Sequence, residues 1–148
     1  MIAFADTSGL AAYVDDTQAD HEAAGELVRN VFATRGRLIT TNYVLAELTA
    51  LLTRPLRIPR PRQILLLDVL RSVKWIEIVH VDPALDNLAW NLWKARPDKT
   101  WSLVDCPSFV LMKQRDLTDA ITSDHHFEQA GFHRLLKPAA PSSAARIR

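Results

Sequence analysis

Four carboxylates stand where this sequence changes character. Asp6 ends an apolar run in Phe4-Ala5-Asp6-Thr7-Ser8-Gly9, and Glu47 lies in Thr41-Asn42-Tyr43-Val44-Leu45-Ala46-Glu47-Leu48. Asp105 belongs to Trp101-Ser102-Leu103-Val104-Asp105-Cys106-Pro107, and Asp124 to Ile121-Thr122-Ser123-Asp124-His125-His126-Phe127. Brought together, such groups repel one another, and their pKa values rise unless a cation is present. Their hard oxygens suit Mg²⁺ or Mn²⁺ rather than zinc. One or two such ions can orient a water, stabilise a leaving oxygen and clamp an in-line displacement at phosphorus.

Each residue also has a plainer explanation. Asp6, Asp105 and Asp124 all suit helix N-caps, and Pro107 strengthens that account for Asp105, because proline favours the first helical turn. Helical spacing puts Tyr43, Ala50 and Leu51 on the face of Glu47, in a helix expected to be capped by Thr41 or Asn42. A carboxylate among apolar neighbours costs free energy unless it is paired or holds a cation, and an ion pair with an arginine is the plain alternative. Each signal alone is weak; four at such junctions of one small chain are jointly more specific.

The elements that must carry these residues follow from periodicity. Ile2–Ala5, Leu38–Thr40, Trp75–Val81, Ala120–Thr122 and Arg134–Leu136 read as short buried strands. Between them, Ala23, Ala24, Leu27, Val28, Val31 and Phe32 recur at helical spacing, as do Leu85, Leu88, Ala89, Leu92 and Trp93. Ile64 to Val73 is a further helix, introduced by Pro59 and Pro61. Strands separated by helices predict a parallel sheet covered on both faces. In such sheets functional residues collect at the carboxyl ends of strands, and the four carboxylates are expected where that rule puts a site.

The chain has 148 residues, which fits one domain. A single cysteine excludes a disulfide framework and a cysteine-rich zinc site, and suits a reducing cytoplasm. No apolar run reaches membrane-spanning length. No basic leader precedes Ile2–Ala5, so this run is expected to be a first strand rather than a signal peptide. Net charge is +1, which excludes a simple polycation, but the signs segregate. Residues 1–30 carry six acids against Arg29. Residues 54–74 carry Arg54, Arg57, Arg60, Arg62, Arg71 and Lys74 against Asp68. This stretch is either a solvated surface or a local basic face for a polyanion. Residues 1–136 are expected to form the domain and residues 137–148, rich in Pro, Ser and Ala, a flexible basic tail.

The four acidic segments, in this order, resemble the PIN-domain family, in particular the toxin ribonucleases of bacterial VapBC-type toxin–antitoxin pairs. The resemblance covers about residues 1–136. It rests on Asp6-Thr7-Ser8, on Thr40 to Glu47, on Ser102-Leu103-Val104-Asp105-Cys106 and on the closing Thr122-x-Asp124-x-x-Phe127 pattern. It implies a three-layer α/β/α fold with a parallel five-stranded sheet in order 3-2-1-4-5. It implies Asp6, Glu47, Asp105 and Asp124 around Mg²⁺ or Mn²⁺, with Asp6 and Asp105 the principal ligands. Glu47 would bind metal or the attacking water, Asp124 would complete the ring, and Thr7 and Ser102 would support them by hydrogen bonds. The implied activity is metal-dependent endoribonucleolytic hydrolysis of RNA. The implied partners are a small antitoxin and a second copy of the chain, with no membrane. Pro107 departs from this pattern: a helix begun near Ser102 would be kinked there, leaving Asp105 in a turn.

Other residues invite weaker readings. His125 and His126, about 100° apart on a helix, are expected to be solvated rather than to share an ion. Cys106 reads as a small buried residue, not a nucleophile, because the neighbouring carboxylate opposes the thiolate. Trp101 is a conceivable base-stacking residue, but core or dimer packing is expected for it and for Trp90 and Trp93. Two other enzyme classes fit poorly. An aspartate phosphohydrolase wants a second Asp where Ser8 stands, and a phospho-receiver domain wants its acidic pair just after the first strand, whereas Asp15-Asp16 falls later. The non-enzymatic alternative is a PIN-like module that binds RNA or a partner without catalysis.

Overall fold

The first strand is short because its sequence is: three buried residues, Ala3 to Ala5, end at a charged one. A computed structural model describes residues 1–138. Its elements run β1 (Ile2–Ala5), α1 (Thr7–Val14), α2 (His21–Ala33), β2 (Arg37–Thr41), α3 (Asn42–Thr53), α4 (Arg60–Ser72), β3 (Ile76–Val79), α5 (Pro83–Ala95), α6 (Asp105–Gln114), β4 (Asp119–Ile121), α7 (His126–Gln129) and β5 (His133–Arg134). All strand pairings are parallel, in the order β3-β2-β1-β4-β5. The sequence expectation of fold and strand order therefore holds. Residues 139–148, most of the expected tail, lie outside the described residues.

The order positions the site. From β1 the chain steps outward to β2 and β3, then crosses back to β4 and β5. Right-handed crossovers in opposite directions put α1–α4 on one face and α5–α7 on the other. Accordingly α1 packs on α2 and α3, α3 on α4, and α5 on α6. The point where direction reverses lies between β1 and β4, which is where an open α/β sheet forms its crevice. The core beneath is apolar and aromatic: Phe127 stacks on Phe4 and meets Phe109 edge-on at 4.9 Å.

Boundaries differ from expectation at four strands, β4 among them, which runs Asp119–Ile121 rather than Ala120–Thr122. β2 extends by a residue at each end, to Arg37–Thr41. The run Trp75–Val81 is strand only over Ile76–Val79, and the last strand is His133–Arg134 rather than Arg134–Leu136. Leu135 and Leu136 still donate backbone hydrogen bonds to Ala120 and Thr122, so chain pairing outlasts the regular strand. Among the described residues no helix is long and apolar enough to cross a membrane.

Candidate active site

Asp6 follows β1 and caps α1, so the cap account and the site account describe one residue. Its Oδ1 accepts from Gly9 N at 2.9 Å and from the Ser8 hydroxyl at 2.8 Å. Its Oδ2 accepts from the Thr122 hydroxyl at 2.7 Å. The side chain is nearly enclosed, and burial pushes its pKa up to about 6 despite these three donors; the negative charge of Asp124 adds to the rise. Gly9 makes this turn possible. A Cβ there would sit 1.8 Å from the carbonyl oxygen of Ile121, so α1 meets the end of β4 closely only without a side chain.

Thr122 ties two acids together. While donating to Asp6, its oxygen accepts from the backbone N–H of Asp124 at 2.9 Å. Ser8 matches it, accepting from Ser123 N at 3.0 Å. The ends of β1 and β4 are thus held through two hydroxyls.

Asp105 is the first residue of α6. Ser102 Oγ accepts from both Val104 N and Asp105 N, and Asp105 Oδ2 accepts from Ser102 N at 3.0 Å. This reciprocal pairing satisfies donors at the helix start. The expected kink is absent. The helix begins at Asp105, so Pro107 lies in the first turn, where a backbone N–H has no intrahelical acceptor to lose. Burial raises the Asp105 pKa, and the nearby Asp124 charge adds to the rise; Ser102 N–H and His126 oppose it.

Glu47 corrects the sequence expectation. It is exposed, and its partner is Thr7, whose hydroxyl donates to Oε1 at 2.5 Å. Val44, Leu45 and Leu48 take the buried face of α3, and Thr41, not Asn42, caps the helix. Asn42 instead accepts from Val81 N.

Asp6, Thr7, Ser8, Glu47, Asp105 and Asp124 line one open cleft of about 240 Å³. It is not the largest depression on the molecule, but it gathers all four acids. Among the described residues, no lysine or arginine forms an ion pair with any of them. Two histidines lie against the group: His125, whose Nδ1 is 3.7 Å from Asp124 Oδ1, and, closer in, His126. The Nδ1 of His126 lies 3.3 Å from both Asp105 Oδ2 and Asp124 Oδ1, buried and aligned with neither for a hydrogen bond. Thr100 meets its Nε2 at 3.0 Å.

His126 is therefore largely buried, against the expectation of a solvated residue, whereas His125 is exposed. His125 caps α7 in helical backbone, with φ −63° and ψ −16°. One ligand atom from each of Asp124, His125 and His126 lies within 4.8 Å of the others. Trp101 is buried, donating to Gln129 and packing edge-on against Phe109, so it offers no free face for a base. Trp90 and Trp93 are exposed rather than core, packed edge-on against each other. Cys106 is buried as expected, its thiol pushed up to about 11 by burial and by Asp105.

A parallel 3-2-1-4-5 sheet with four acids gathered in one cleft at its reversal point defines an open-sheet α/β protein with an acidic crevice. The PIN domain model matches residues 3–133, and the chain belongs to the PIN-domain family. It is 30% identical over 131 residues to the 23S rRNA-specific endonuclease VapC20 of Mycobacterium tuberculosis, in two strains; the match spans 87% of this chain and 94% of the relative. The crystal structure of Mycobacterium tuberculosis VapC20, described as a sarcin–ricin loop cleaving toxin, aligns with TM-score 0.76 at 27% identity. It covers 93% of this chain and all of that one.

Ser8 and Thr122 stand within the acidic motifs, but the sequence alone assigns them no role. Their signal was placement: a hydroxyl two residues after Asp6 and another two before Asp124. The wedge of His126 between two acids had no sequence signal, since it depends on where α6 and α7 meet.

Proposed function

We propose that the chain is a divalent-cation-dependent endoribonuclease that hydrolyses RNA phosphodiester bonds, acting in the cytoplasm as the toxin of a toxin–antitoxin pair. The observation that carries this reading is the convergence of four carboxylates, from β1, α3, α6 and the end of β4, on one cleft without a lysine or arginine partner. Such a set is costly unless a cation joins it.

The donor set fits Mg²⁺ or Mn²⁺, being all hard oxygen. Asp6, Asp105, Asp124 and Glu47 would hold the ion, which when bound supplies charge neutralisation at phosphorus and Lewis acidity toward the leaving oxygen. The chain's own residues do the positioning. Ser8, Thr122 and Gly9 leave Asp6 one orientation. Ser102 fixes Asp105, and Thr7 steadies the exposed Glu47 where it can accept a hydrogen bond from an attacking water. RNA as substrate is supported by the named activity of the relatives. A small antitoxin and a second copy are the partners this reading implies. The exposed Leu65 and Val69 of α4 and Trp90 and Trp93 of α5 offer apolar surface for them.

The test is cleavage of a structured RNA pool containing 23S rRNA, with Mg²⁺, Mn²⁺ or EDTA, by wild type and Asp6→Asn. The expected result is cleavage with either ion, none in EDTA and none by the variant. Cleavage that persists in EDTA, or in folded Asp6→Asn, contradicts the proposal.

A further inference from the structure

The segregated arginines of residues 54–74 find a place in the structure that the acidic cleft does not use. An open cleft of about 620 Å³ lies between α3 and α4, and Arg54, Arg60 and Arg71 line it. A second depression of about 620 Å³, bounded by Arg54 and Arg57, adjoins it through Thr53 and Arg54. All four arginines are exposed, and among the described residues none forms an ion pair. Asp68 is the single acid on the wall of the cleft between α3 and α4. Charges left unpaired on both sides of a concave surface attract a polyanion.

The cleft is held open from within. Gln63 is buried, and its amide donates to Thr53 Oγ1 at 3.1 Å and to the Ile58 carbonyl at 2.8 Å, fastening the end of α3 to the start of α4. The basic walls are thus set before any ligand arrives, which lowers the ordering cost of binding.

The link to the acidic cleft is α3 itself. Glu47 lines the acidic cleft and Ala50, one turn further along, lines the basic one, and Arg54, where the helix ends in extended backbone, continues that wall. A strand lying along that wall would pass from the carboxylates to the arginines. Resting on the nuclease reading above, we infer that the α3–α4 cleft holds the RNA backbone on one side of the scissile bond, with Arg54, Arg60 and Arg71 contacting phosphates and the apolar wall of Ile64 and Leu67 beneath the bases.

The test is binding of an unstructured single-stranded RNA in EDTA, followed by fluorescence anisotropy across a salt series. Each lost phosphate contact lowers the slope of log K against log salt by about 0.7, so Arg54→Ala/Arg60→Ala/Arg71→Ala should lower it by about 2. The matching triple lysine variant should keep the slope, and Arg29→Ala on α2 should leave it unchanged. In cleavage assays with Mg²⁺ the alanine triple should raise KM and leave kcat near wild type. RNAs shortened on one side of the cut should raise KM for wild type but add nothing in the triple variant. An unchanged slope and KM in the folded alanine triple overturns the inference, as does an effect confined to binding an acidic protein partner. RNA binding lost in the variant while wild type cleaves nothing upholds the surface and overturns the nuclease reading instead.

Discussion

At the scale of single residues, Asp6 shows a site maintained against stability. Burial raises its pKa to about 6, above the value of 3.8 of an unperturbed aspartate. In the metal-free protein the unfolded chain therefore loses this proton first as pH rises. Native stability falls between about pH 4 and pH 6, and the cost is fully present above pH 6. A displacement of this size is worth about 3 kcal/mol. Asp6→Asn should accordingly be more stable than wild type at pH 7.5 in EDTA, by up to that amount. At pH 4 the gap should close, since both side chains are then neutral. Urea denaturation at the two pH values reads this directly, and an equal gap at both would refute it. The Ser8 and Thr122 hydroxyls can turn to accept from the new amide, so the variant need not leave them unsatisfied.

At the scale of elements, the close approach of α1 to β4 brings Asp6 within reach of Thr122. Gly9→Ala would force a methyl carbon onto the Ile121 carbonyl, and neither backbone can retreat without separating Asp6 from Thr122. We expect a loss on the order of 3 kcal/mol by chemical denaturation, together with loss of RNA cleavage. A Gly9→Ala protein as stable and active as wild type would show that the contact is not needed. The element scale also shows what was legible beforehand. Ile2–Ala5, with Asp6 at its end, declared both a buried strand and a strand-end acid. Asp105 was found by its motif, but its helix start was misjudged, because Ser102 and Asp105 bond reciprocally and let Pro107 fall in the first turn. The burial of Glu47 was misjudged too. Local spacing put apolar residues near it, but α3 turns its Val44-Leu45-Leu48 face to the core. The two-residue β5 was misplaced because register there depends on pairing with β4, which no local pattern encodes.

At the scale of the molecule, the chain keeps its charges apart. The acids meet at the reversal point of the sheet, and the arginines line a cleft on one flank of α3. A near-zero net charge concealed that division, and the segment-by-segment sign count revealed it. Four chain segments far apart in sequence supply the four acids, so the site exists only in the folded protein. A cation bound there must stabilise the native state, by about 2.7 kcal/mol at a concentration one hundred times its Kd. The most direct test of the account is calorimetric titration of Mn²⁺ at pH 7 into wild type, Asp6→Asn, Glu47→Gln, Asp105→Asn and Asp124→Asn. The account predicts a wild-type site that Asp6→Asn and Asp105→Asn weaken by at least the roughly 10- to 100-fold that loss of a merely supporting residue costs. Four folded variants that bind Mn²⁺ as tightly as wild type would contradict it.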